Sequence, residues 1–157
     1  MANQPATYKE VIELFQQISL SQLSVKQFQV GEPSDIDIET EVHTFQRFPL
    51  VFMVPTLSTL DRFGRMVLGF TFIVADISKD NEEHLKINTH NNTLMIMQDI
   101  FSKIIMTDWD TVGIELETPI QLTPFSEAYN NNLTGWSAEI NVIVKSPFNL
   151  CSAAFEN

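Results

Sequence analysis

The chain has 157 residues, 44% of them hydrophobic, and a formal net charge of −11 from nine Lys and Arg against twenty Asp and Glu. That size fits one domain, able to bury a core without covalent staples. The single Cys151 excludes an internal disulfide and a cysteine metal cluster, and the acidic balance argues against a binder that seeks nucleic-acid phosphates through clustered Lys and Arg.

No apolar run reaches the roughly 18 residues of a membrane helix, and no basic-plus-apolar leader opens the chain, so neither a transmembrane span nor a signal peptide is expected. Without a secretory signal the N-x-T sequons at Asn91 and Asn132 carry little meaning. The net charge has two readings. It keeps a surface soluble, or it forms an acidic wall that repels a polyanion and lets DNA pass without sticking.

Met1 to Ala6 reads as a lead-in. Thr7 and Glu10 form a T-x-x-E capping box, and Val11, Leu14, Phe15 and Ile18 follow at helical spacing. An amphipathic helix is therefore expected from Thr7 to about Leu20. Gln22 to Val30 alternates weakly and predicts a polar edge strand, ended by Gly31. Glu32 to Phe45 holds Glu32, Asp35, Asp37, Glu39 and Glu41, with no basic residue before Arg47. Close like charges repel in a packed element, so a solvated arm that orders on a partner is expected there. Pro49 and Pro55 bound a short apolar strand, and Leu57 to Gly64 turns the chain.

Arg65 to Ile105 is the unit around which the rest is organised. Met66, Leu68, Phe70, Phe72 and Val74 alternate with Val67, Gly69, Thr71 and Ile73, and both sets are mostly apolar. That pattern predicts a central strand covered on both faces. Asp76 to Glu83 reads as a turn with Asp80 and Glu83 as a capping pair. A long helix follows, with Ile87, Leu94, Met97, Phe101 and Ile104 or Ile105 expected on one apolar stripe. Thr111 to Thr118 alternates as a half-buried strand, Pro119 to Leu133 is expected to be irregular, and Gly135 to Lys145 forms the last strand before a tail. One α+β domain results, spanning 1–157: a mainly antiparallel sheet with one long and one shorter helix packed on it, an acidic loop at 32–45 and a C-terminal tail at 146–157.

Chemical motifs are weak. Asp76-x-Ser78-x-Asp80-x-Glu82 opens like a calcium loop, but Asn81 stands where the tight turn needs Gly and Ile87 where a bidentate Glu belongs. His84 and His90 are six apart on one helix and point away from each other, and His43 lies in the acidic loop. Cys151 has no histidine nearby, and no nucleophile elbow or phosphate loop occurs. Asp35 and Asp37 lack an apolar pocket to separate their pKa values. Trp109 and Trp136 are interface anchors or core residues. No catalytic, cofactor or metal residues are assigned, and no enzyme activity is expected.

Four stretches nevertheless form a pattern. They are the Gly31-Glu-Pro-Ser-Asp-Ile-Asp37 segment behind a helix and weak strand; Phe48-Pro-Leu-Val-Phe-Met-Val-Pro-Thr56; the strand ending in Phe72-Ile-Val-Ala-Asp76 with its Asp80-Asn81 turn and the Asn91 to Ile100 helix; and Leu122-Thr-Pro-Phe125 through Gly135-Trp136 to Pro147-Phe-Asn-Leu-Cys151. In this order the chain resembles the small neck and tail-completion proteins of tailed bacteriophages, including crAss-like and other Bacteroidetes phages. The resemblance implies a virion structural protein, a connector or tail-completion subunit. Six or twelve copies would form a ring that meets portal, neck or tail proteins, with DNA passing through the channel without specific binding. It implies location in the virion neck or tail, with the host cytoplasm as the place of assembly, and no membrane partner. Candidate interface residues are Glu32, Asp35, Asp37, Glu39 and Glu41 in the acidic arm and Phe148, Leu150 and Phe155 in the tail. Two other readings stand beside it: an intracellular protein-binding module acting through the acidic loop on a basic partner, and a metal-dependent hydrolase using Asp35, Asp37 and His43.

Overall fold

The computed structural model describes residues 6–32, 48–77, 83–107, 113–128 and 133–145. In chain order its elements are α1 (Tyr8–Ser21), β1 (Gln27–Val30), β2 (Leu50–Pro55), β3 (Thr59–Leu60), β4 (Arg65–Ile77), α2 (Glu83–Ile105), β5 (Ile114–Leu116), β6 (Gln121–Ala128) and β7 (Leu133–Lys145). The seven strands form one sheet in the order β1-β2-β4-β7-β5, with β3 also paired to β4 and β6 to β7. β1 pairs parallel to β2, and the other pairings are antiparallel. The fold is α+β, as the pattern of elements required.

Two long strands form the spine. β4 and β7 pair along their whole length, from Arg65 opposite Lys145 to Ile77 opposite Leu133. Each has 13 residues and so runs about 40 Å. Two shorter strands share the outer edge of each. β2 lies against Phe70–Ala75 and β3 against Met66–Val67; β6 lies along Leu133–Glu139 and β5 along Val142–Val144.

The period-two pattern of β4 has the expected result. Leu68, Phe70, Phe72 and Val74 face the helices, joined there by Ala138, Ile140, Val142 and Val144 of β7 and by Val51 and Met53 of β2. α1 contributes Val11, Phe15 and Ile18, and α2 contributes Ile96, Met97, Ile100, Phe101 and Ile104. Phe72 joins all three layers, its ring centre 5.9 Å from that of Phe15 and 5.1 Å from that of Phe101. The opposite face buries a second cluster of Phe48, Leu50, Phe52, Ile73, Ala75 and Leu133. β4 is therefore buried on both sides, which is why its sequence is apolar almost throughout.

The first helix starts where its capping box predicts. Thr7 Oγ1 accepts from the Glu10 N–H at 3.2 Å, and the Thr7 N–H donates to Glu10 Oε2 at 2.6 Å. These bonds hold the Glu10 carboxyl below its ordinary range, the backbone N–H of Thr7 being the larger cause. Four other expectations are corrected. The edge strand is confined to Gln27–Val30, because Gln22 to Val25 form a turn: the Val25 N–H donates to the Gln22 carbonyl at 3.1 Å, and the Ser24 N–H to Gln22 Oε1 at 2.6 Å. Ile87 is not on the buried stripe of α2 and is 66% exposed. At 3.6 residues per turn it lies about 80° around the helix from Met97. His90, Thr93, Met97, Ile100 and Ile104 trace the true stripe, and Ile104 is buried where Ile105 is not. The stretch Leu57 to Gly64 contains the short strand β3 within a hairpin. The stretch expected to be irregular before Leu133 contains β6, an outer strand that accommodates Pro124 opposite Trp136 and is irregular between Phe125 and Ala128. The Asp80 cap, the calcium-like positions 78–82 and Val112 lie outside the described residues.

Candidate functional site

The β3–β4 hairpin is built by local bonds. The Thr56 N–H donates to the Gly69 carbonyl at 2.9 Å, and the Gly69 N–H to Ser58 Oγ at 3.2 Å. A Cβ at position 69 would stand 2.3 Å from the Leu57 carbonyl oxygen, so glycine permits this close approach. At the tip Asp61 organises the turn. Its Oδ1 accepts from the N–H groups of Phe63 at 2.8 Å and Arg65 at 3.0 Å, and its own N–H donates to the Arg65 carbonyl at 3.0 Å. This side-chain cap is the ordinary use of Asp in a turn.

What this ordered hairpin displays is unusual. Leu57 is 87% exposed, Leu60 60% and Phe63 77%. Burying a Leu or Phe fully is worth about 1.5–3 kcal/mol, so leaving three open forgoes a sizeable stabilisation that a covering surface could supply. Arg62 lies with its guanidinium 5.7 Å from the Phe63 ring centre, and Arg65 is exposed nearby. Among the described residues neither arginine has an ion-pair partner. Asp61 Oδ1 is turned back onto the backbone, and the tip carries apolar side chains with two arginines against this one carboxylate.

A second surface lies at the other end of the first helix. The turn after α1 is tied down by the Gln22 N–H donating to the Ser19 carbonyl at 3.2 Å and by the Lys26 N–H donating to the Pro49 carbonyl at 2.9 Å. Between this turn and α2 opens a recess of about 380 Å³, lined by Ile18, Leu23, Asp99, Ile100 and Lys103 among others. Leu23 is 96% exposed at its mouth. Asp99 Oδ2 accepts from Gln22 Nε2 at 3.2 Å, and Lys103 Nζ donates to Ser21 Oγ at 3.3 Å.

Of the histidines, His90 is the one whose side chain is described. His90 Nε2 lies 3.0 Å from the Phe125 carbonyl, its ring meets Trp136 edge-on, and Trp136 Nε1 donates to the His90 carbonyl at 2.9 Å. These bonds clamp α2 to the β6–β7 pair, so Trp136 is a half-buried core anchor. Among the described residues no group of three His, Cys, Asp or Glu is placed to hold a metal ion. No described helix is long and apolar enough to cross a membrane.

Of the residues expected at an interface, Glu32 is exposed just beyond β1. Asp35, Asp37, Glu39, Glu41, Phe148, Leu150 and Phe155 lie outside the described residues, as do His43, Trp109 and Cys151. Sequence reading passed over Leu23, Leu57, Leu60 and Phe63. The one available signal for the hairpin was Asp61-Arg-Phe-Gly64 between two alternating runs, a turn pattern with flanking strands. No protein-family model and no curated protein matches the chain.

Proposed function

We propose that this chain is a virion structural protein that forms an oligomeric ring in the neck or tail of a tailed bacteriophage. As a connector or tail-completion subunit it joins portal or head to tail and surrounds the DNA channel. The observation that carries this reading is a close-packed α+β body showing large apolar side chains on two surfaces, the hairpin and the α1–β1 turn. Two different patches on one rigid subunit suit head-to-tail contacts, the kind that close into rings. The motif order from Gly31 to Cys151 supports the phage assignment, and the net charge of −11 suits a channel through which DNA slides without binding.

The test is direct. Purified particles of the phage that encodes the chain are analysed by mass spectrometry and electron microscopy. The expected result is a fixed stoichiometry of six or twelve copies at the head–tail junction or tail end. Absence of the chain from purified particles refutes the reading. A lumen of positive potential in the assembled ring would refute the role given to its charge.

A further inference from the structure

We draw no further inference here: the strongest candidate, the exposed apolar patch that Leu57, Leu60 and Phe63 form on the β3–β4 hairpin, carries none, because nothing in the structure shows what covers it.

Discussion

Replacing Phe72 by alanine removes the ring that joins both helices to the sheet. The side chain is fully buried on β4, with Phe15 of α1 at 5.9 Å and Phe101 of α2 at 5.1 Å. Phe→Ala changes in cores cost about 3–5 kcal/mol through lost transfer energy and the cavity left behind. Two tilted aromatic contacts, each worth about 0.5–1.5 kcal/mol in measured cycles, place this site toward the upper end. The surroundings cannot collapse easily, because the cavity floor is a strand paired on both edges. A loss of about 4–5 kcal/mol is therefore expected, about a quarter or more of the roughly 5–15 kcal/mol that holds a domain folded. At about 2–4 °C per kcal/mol for a chain of this size, the thermal midpoint falls by about 8–20 °C. Urea unfolding followed by circular dichroism and tryptophan fluorescence measures it, with Phe63→Ala as the control. Phe63 is 77% exposed, so its truncation shifts stability by no more than about 0.5 kcal/mol. A Phe72→Ala loss below about 2 kcal/mol, or a control loss as large as that of Phe72, would refute this account of the core.

Three further outcomes follow from the same geometry. A Cβ on Gly135 would stand 1.9 Å from the Val74 carbonyl oxygen, so Gly135→Ala must push β4 and β7 apart; a loss above about 2 kcal/mol, or failure to fold, is expected in the same unfolding assay. Met97→Ala costs about 2–5 kcal/mol while Ile87→Ala stays within about 0.5 kcal/mol, and equal losses would show that the helix stripe is wrongly placed. The folded-state pKa of Glu10 is lowered from 4.5 by the Thr7 hydrogen bonds, so its stabilisation is present above that value and is lost as pH falls through the lower folded one. Unfolding midpoints of the wild type and Glu10→Ala should accordingly differ at neutral pH and converge in acid; a gap independent of pH argues against the capping role.

The cap of α1, the two-faced burial of β4 and the inward set of β7 were legible in the sequence because each depends on neighbours in the chain. A capping box spans three residues, and strand alternation needs only the direction of successive Cβ atoms. β3 and β6 were not legible for the opposite reason. Thr59–Leu60 is a strand only because Val67 and Met66 lie opposite it, and Pro124 is tolerated only because β6 uses one edge for pairing. Ile87 shows how a helical pattern misleads at a helix end, where an apolar residue off the stripe looks like a member of it.

The sequence by itself determined the α+β class, the central strand and its helix, the acidic balance and the lack of a local catalytic motif. Each is a property of composition or of short-range spacing, and each survives whatever the chain packs against. Only the tertiary structure decided which apolar residues stay in contact with water. Leu23, Leu57, Leu60 and Phe63 are no less hydrophobic than Phe72 or Met97, and no local pattern sets them apart. Their exposure follows from where the sheet ends and the turns project, a consequence of strand order and register that arises only when distant segments pair.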